Sequence, residues 1–579
     1  MNGHVGGRFE LVAPRRVTDP GDRWRLLALV LLAAGVHAWL IANTAVTAKD
    51  SLRFARHALA LWKPNADKSP GTPDRTFPDV LRAEHDPPGY PLALATLYFP
   101  VKAVWSEPHS TVMDRALLAG QLASALAAVL TVFPMYWLGR LLFTKWVGFG
   151  AAAIFQCLPV YARESSDAIS DSTYLFFVAM ALLLAARGVK KPTVGRFLFC
   201  GLAVGMAYLV RPEGLFILFP CLAVVPLGMG LARRWTAKTT AACLTALAVG
   251  ATLPAAPYMV MIGRLTNKPT ANDPFQPPAL TPRQKLTRDG KADVGGGPPF
   301  ASWVPADVTG ARRVGIALGE SLKEWLKATH YGVGILAVIG GLFLWRRFWA
   351  EPELWVPTVY AGASAAAMFG LAEFRGYVSE RHGLPLAMVC VYFAVAGLVP
   401  LFAWAARNAL FWNGLYRWRY LGAVVCVGII ASGGRQLFRP LHDNRLGHKL
   451  AGEALHDEFQ QARVTDVLAD PYGWVRFYSG WGVYNIGRTP DPVWTADEPL
   501  VRWAVMELNL DDAGVPQPDV PKVPDDRHAL AARIYRNLPE DGVTGTWKQV
   551  FQWPAADSGE RPRVIVVKQT LPPRLKPKK

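Results

Sequence analysis

The stretch RWRLLALVLLAAGVHAWLIANTAVTAKDSLRF, residues 23–54, carries the first decision about this chain. Leu27–Ala45 is apolar for long enough to cross about 30 Å of hydrocarbon as a helix. Arg23 and Arg25 precede it, and Asp50 and Arg53 stand just beyond it. A cleaved signal peptide is excluded, because the run is too long and further runs follow it. Ala116–Leu138 and Thr239–Ile262 repeat the pattern, so the chain reads as a protein that crosses a membrane many times.

Composition agrees. The 579 residues are 51% hydrophobic and 18% charged, with a mean hydropathy of +0.18, whereas a soluble chain carries about a quarter charged residues. A net charge of +18 would suggest nucleic acid in a soluble protein. Here membrane sidedness accounts for it, and no nucleic-acid partner is expected. Cys157, Cys200, Cys221, Cys243, Cys390 and Cys426 all fall in apolar runs, with no CxxC motif and no disulfide framework.

Apolar runs predict about eleven spans, near 26–46, 116–142, 147–161, 172–186, 197–210, 214–232, 239–262, 330–345, 354–373, 383–404 and 419–433. Counted this way, the basic clusters fall on one face: Arg15, Arg16, Arg23 and Arg25; Arg140 and Lys145; Arg187, Lys190, Lys191 and Arg196; Arg233, Arg234 and Lys238; Arg346 and Arg347; Arg407, Arg417 and Arg419. Positive-inside bias makes that face cytoplasmic, with the amino terminus there too. The expected organisation is a cytoplasmic segment 1–25, a membrane domain 26–433 with extracytoplasmic loops 47–115 and 263–329, and an extracytoplasmic tail 434–579. Tyr90–Trp105, broken by Pro91, Pro100 and Lys102, reads as a helix lying along the interface. Gly295–Pro299 reads as a flexible stretch of its loop. In the tail, Leu450–Phe459 reads as an amphipathic helix, and Val464–Ala469, Arg502–Glu507 and Val564–Lys568 as strands, giving a small α/β domain with a basic end.

The chemically unusual residues gather on the other face. Asp50, with Arg53 one turn later, is placed to act as a base near a phosphate, and an aspartate at a helix start is also an ordinary solvated residue. EHDPPGYP, Glu84–Pro91, sets Glu84, His85 and Asp86 before a rigid proline pair, which a plain turn would also do. In YARESSDAISDSTYLFF, Tyr161–Phe177, Asp171 opens an apolar helix and is equally an N-cap, while Arg163, Glu164 and Asp167 can pair at the surface. Arg211 and Arg381 end spans on the face where arginine is disfavoured; each can snorkel to headgroups, or bind an anion with its planar donor fork. His382 beside Arg381 is a candidate acid, base or ligand. Ionisable groups collected at one membrane rim form a functional-site hypothesis. His85, Glu84, His382 and Asp50 are the residues that could meet around a divalent ion, although their spacing defines no ligand geometry.

In order, these pieces resemble the lipid-donor glycosyltransferases of the GT-C superfamily, in the branch of protein O-mannosyltransferases and bacterial aminoarabinose transferases. That branch carries an Asp-Glu-x-Arg-Tyr motif after its first span; here Asp50, Leu52, Arg53 and Phe54 are similar, and Ser51 replaces the second acid. His85–Pro91 is similar to a His-Pro-Pro-Gly-Tyr-Pro string with Asp86 added. Arg163, Ser170, Asp171 and Leu175–Phe177, then GLAVGMAYLVRPEG (Gly201–Gly214) and YVSERH (Tyr377–His382), complete the set, which covers roughly residues 25–450.

The resemblance implies an α-helical polytopic enzyme of the inner membrane. It would be an inverting glycosyltransferase using a polyprenyl-phosphate sugar donor and a glycan, lipid or protein acceptor. Asp50 would be the base, Arg211 or Arg381 would meet the departing phosphate, and Asp171 with Glu84 or His85 would orient the acceptor or the base. The competing readings are a permease, which places polar sites near the bilayer midplane, and a surface-polysaccharide ligase or polymerase using similar donors.

Overall fold

A computed structural model describes residues 19–65, 74–105, 112–232, 236–268, 302–304, 308–408, 415–442, 445–460, 467–470, 474–479, 501–510, 516–518, 547–554 and 563–569. The first helix, α1 (Pro20–Ala42), starts on an Asp19–Asp22 capping box. Then come α2 (Lys49–Trp62), α3 (Phe77–Ala83), α4 (Gly89–Val104), α5 (Val112–Leu142), α6 (Lys145–Cys157) and α7 (Pro159–Ser166). They are followed by α8 (Asp171–Lys190), α9 (Val194–Val210), a 3-10 turn at Pro212–Ile217, α10 (Leu218–Ala232) and α11 (Ala237–Ile262). The second half holds α12 (Gly310–Ala328), α13 (Gly332–Phe343), α14 (Trp345–Ala350), α15 (Trp355–Arg375), a 3-10 turn at Glu380–Gly383, α16 (Leu384–Asn408) and α17 (Leu415–Leu437). Each expected span coincides with a helix, and the chain is a multi-pass α-helical membrane protein. Among the described residues, 6 helices are long and apolar enough to cross a membrane, or up to 7 with a bent pair counted as one. Pro212–Pro226, Val194–Val210 and Val424–Leu437 are shorter apolar helices.

The helices pack through small residues, as helices in lipid must when apolar attraction gives no preference for protein over lipid. Gly201 and Gly205 of α9 face Gly250 and Ala251 of α11, where a Cβ on Gly201 or Gly250 would run into the carbonyl oxygen of Leu247 or Leu198. Gly340 and Gly397 bring α13 against α16 in the same way. At one end of the bundle, buried Asp22 accepts the Tyr136 hydroxyl and is paired with Arg140 and, at 3.2 Å, with Arg25. Arg347 reaches the Leu142 carbonyl at that end at 3.0 Å. Several of the basic clusters grouped by counting spans therefore do share one end. Arg15, Arg16, Arg233, Arg234 and the Gly295–Pro299 stretch lie outside the described residues.

Two expected loops contain helices. Within 47–115, α2, α3 and α4 pack together, and α4 covers the stretch 90–105 expected to be helical. Within 263–329, α12 buries Ala317, Ser321, Glu324 and Ala328, a one-sided stripe at helical spacing that the polar composition concealed. A bend of 102° separates it from α13, through His330 and Tyr331 at positive φ.

The tail has α18 (Leu446–Ala454), α19 (His456–Gln460) and α20 (Trp474–Tyr478). Its five strands are β3 (Val467–Ala469), β4 (Val501–Leu510), β5 (Pro516–Pro518), β6 (Trp547–Trp553) and β7 (Val564–Gln569); β1 (Ser302–Trp303) and β2 (Tyr377–Val378) form a separate antiparallel pair. The tail sheet runs β3-β4-β7-β6 with β5 on β4, and only β3–β4 is parallel. Its own core joins Ala451, Leu455, Leu468, Val475, Trp503, Val505, Val564 and Val566. Trp474 and Tyr478, by contrast, are buried in the core of the helical bundle.

Candidate active site

α2 starts immediately after the first membrane helix, so its first turn lies at the rim of the bundle. Asp50 is there, with its side chain 35% exposed. Arg381 Nη1 donates to Asp50 Oδ2 at 2.8 Å. Arg53, one turn along α2, stands 3.7 Å from Asp50 Oδ1 and places its Nε 2.7 Å from Asp86 Oδ2. Burial would raise the Asp50 carboxyl, but the charges of Arg381, Arg53 and Arg211 outweigh it and hold the group below the usual carboxylate range.

Arg211 ends α9 and pairs with Asp171, the first residue of α8. Its guanidinium also lies 5.6 Å from the Tyr174 ring centroid and 3.7 Å from Glu213, which Lys268 contacts at 2.7 Å. The Tyr174 hydroxyl meets that of Tyr360 at 3.2 Å. Glu164 of α7 sits within the field of Asp171, Arg381, Asp167 and Glu380; burial first, then the neighbouring carboxylates, push its carboxyl well above the ordinary range. The arrangement is two arginines, each matched by an aspartate, with the raised carboxyl of Glu164 in the field of Arg381 and Asp171. Such a site can receive an anion, and can accept a proton at Asp50.

The remaining sequence candidates divide. Glu84 is buried, and its carboxyl is pushed up to about 7 by desolvation and by Asp86, against Arg53, Arg56 and Arg75. Its carbonyl accepts the Asn267 side-chain amide at 2.8 Å. His85 is exposed. Arg163 is half-buried, within the field of Glu380. The His382 Nδ1 accepts from the N–H and hydroxyl of Ser379, at 3.2 and 3.0 Å, closing its own turn. Among the described residues no group of three His, Cys, Asp or Glu is placed to hold a metal ion, so Glu84, His85, His382 and Asp50 do not form a ligand set.

Asp167 is a correction. Expected to pair at the surface, it is 3% exposed and accepts from Ala48 N–H, the Ser51 hydroxyl and His442 Nε2 at 2.9, 2.8 and 2.9 Å. Ser51, where the resembling motif has an acid, is buried and spends its hydroxyl on this contact. Asp86, Glu213, Lys268 and His442 were not singled out from the sequence as site residues. The EHDPPGYP string held a signal for Asp86, and the RPEG string, Arg211–Gly214, one for Glu213, two residues from Arg211.

With the geometry in hand, comparisons narrow the class. The family model described as dolichyl-phosphate-mannose-protein mannosyltransferase matches residues 109–258. No curated protein sequence matches the chain. The archaeal oligosaccharyltransferase AglB from Archaeoglobus fulgidus, in complex with an inhibitory peptide and a dolichol-phosphate, aligns over 92% of this chain and 80% of its own, with a TM-score of 0.54 and 12% identity. Its zinc and sulfate complex gives 0.55 and 11%, over 91% and 78%. ArnT from Cupriavidus metallidurans, bound to undecaprenyl phosphate, aligns over 95% of this chain and 98% of its own at 11% identity and a TM-score of 0.45. The chain thus has the fold of the GT-C glycosyltransferases. Residues 109–258 also match the mannosyltransferase family model, of the branch that the motifs resemble.

Proposed function

We propose that this protein is an inverting glycosyltransferase that moves a sugar from a polyprenyl-phosphate donor to an acceptor hydroxyl on a glycan, lipid or protein. The observation that carries the reading is the Asp50–Arg381 contact at the bundle rim, with the Asp171–Arg211 pair beside it. A lipid-anchored phosphate would arrive at that depth, and arginine's fork suits its oxygens. AglB, similar in fold, is known with a dolichol-phosphate and an inhibitory peptide, which supports a lipid-linked donor here.

In the proposed reaction, Asp50 takes the proton of the acceptor hydroxyl as its oxygen attacks the anomeric carbon from the face opposite the phosphate. The bond from that carbon to the phosphate oxygen breaks, and its electron pair stays on the phosphate, where Arg381 and Arg211 meet the growing charge. Asp171 holds Arg211 in place, and Glu84 and Arg163 would contact the substrate. The basic end of the bundle faces the cytoplasm, so the site and tail open outside, on the inner membrane.

Release of polyprenyl phosphate from synthetic polyprenyl-phosphate sugars, with transfer of radiolabelled sugar, tests the reading. Asp50→Asn is expected to lower transfer at least ~10²-fold while still inserting in the membrane. A fully active variant would remove Asp50 from the mechanism, and intact donor with every sugar tried would favour a permease.

A further inference from the structure

The segment leaving α17 turns back onto the start of α2. Leu441 pairs with Thr44 in a parallel bridge, and its carbonyl accepts the Ala45 N–H at 3.1 Å. His442 follows at φ +50°, a region where histidine is enriched among non-glycine residues. Its Nε2–H donates to Asp167 Oδ2 at 2.9 Å. The same carboxylate takes the Ala48 N–H on Oδ2, and the Ser51 hydroxyl and its own Ala168 N–H on Oδ1, the last at 2.7 Å.

Ala48 is the N-cap of α2 and makes no side-chain cap, and alanine is a poor residue for that position. Asp167, from the end of α7, braces this turn from outside the helix. It holds the residue before the helix by its N–H and the third helical residue by its side chain. Asp50 lies between those two points. The carboxylate that fixes this turn is in turn held by a histidine 275 residues away in the chain.

We propose that His442 is a positioning residue for transfer: by clamping Asp167 against Ala48 and Ser51, it sets the first turn of α2 so that Asp50 faces Arg381 and the acceptor. The proposal rests on the reading of Asp50 as proton acceptor. The imidazole is suited to the task because its Nε2–H donates whether the ring is neutral or charged, while an ionised carboxylate can only accept.

Full-length wild type, His442→Ala and His442→Gln decide it. Glutamine carries an amide N–H near the place of the Nε2–H. The first readout, independent of catalysis, is backbone amide exchange over residues 48–52. It is expected to rise about tenfold or more in His442→Ala, as loss of a hydrogen bond to a charged group predicts, and to return towards wild type in His442→Gln. The second is release of undecaprenyl phosphate from synthetic undecaprenyl-phosphate sugars. The kcat of His442→Ala should fall about 10–100-fold, a misplacement effect, with KM for the donor nearly constant and His442→Gln restoring kcat. Unchanged exchange in His442→Ala, or equal loss in both variants, overturns the clamp. Raised exchange with unchanged kcat overturns its role in transfer. If wild type releases nothing from any donor, the proposed function and the role in transfer both fall, and the exchange data still decide whether His442 holds the turn.

Discussion

Asp50 stands between Arg381 and Arg53 with about a third of its side chain open to solvent. Partly solvated ion pairs of this kind contribute only about 0–1 kcal/mol each, so they aim the carboxylate without locking it, and an incoming phosphate can take over Arg381. Glu84 shows the opposite balance. Desolvation and the charge of Asp86 raise its carboxyl to about 7, so the folded protein binds that proton more tightly than the unfolded chain, whose value is about 4.3. Its contribution to stability is therefore fully present below about pH 4.3 and is lost as the pH rises through 7. Glu84→Gln, permanently neutral, is expected to raise the thermal midpoint at pH 8 by about 2 °C. The difference should disappear at pH 4; a constant difference across pH would remove Glu84 from that titration.

At the scale of elements, the site is built from helix ends. Asp50 comes from the start of α2, Asp171 from the start of α8, Arg211 from the end of α9, and Arg381 from the turn before α16. Helix ends can be held in register only if the shafts behind them pack closely. The α9–α11 crossing sets the course of the helix that ends at Arg211, because Gly201 leaves no room for a side chain beside the Leu247 carbonyl. Gly201→Val is expected to force the two helices apart at a cost of about 1–3 kcal/mol. It should lower the thermal midpoint in detergent and weaken transfer. Unchanged stability and activity would mean that the crossing relaxes freely.

For the whole molecule, the tail is bound into the membrane domain. Trp474 Nε1–H donates to the Thr47 carbonyl at 3.1 Å, next to the first turn of α2. Arg445 lies 5.2 Å from the Trp474 ring, is paired with Glu507 of β4, and so connects the tail sheet to the same point. Trp474→Ala should loosen this joint by about 3–5 kcal/mol, as expected for a buried tryptophan. Limited proteolysis would then cut near residues 439–445 faster than in wild type, and Trp474→Phe, which keeps the packing and loses the hydrogen bond, should lie between. Equal cleavage in all three would show that the joint does not depend on Trp474.

Hydropathy is a local property, so the sequence by itself placed the membrane helices, the basic end of the bundle and tail strands at Val464–Ala469, Arg502–Glu507 and Val564–Lys568, which overlap β3, β4 and β7. It also marked Asp50, Asp171, Arg211 and Arg381, because charged residues at span ends stand out against an apolar background. The amphipathic stripe of α12 was harder to read, since a helix half exposed to water has the composition of a loop. Partnership was beyond its reach. Asp50 and Arg381 are 331 residues apart and Arg211 and Asp171 40 apart, and which ends converge depends on how every intervening helix crosses its neighbours. The same is true of Asp167. Along the chain it is one acid among several in a polar loop, and only the tertiary fold buries it, where an unpaired charge would be costly and where Ala48, Ser51 and His442 meet its two oxygens.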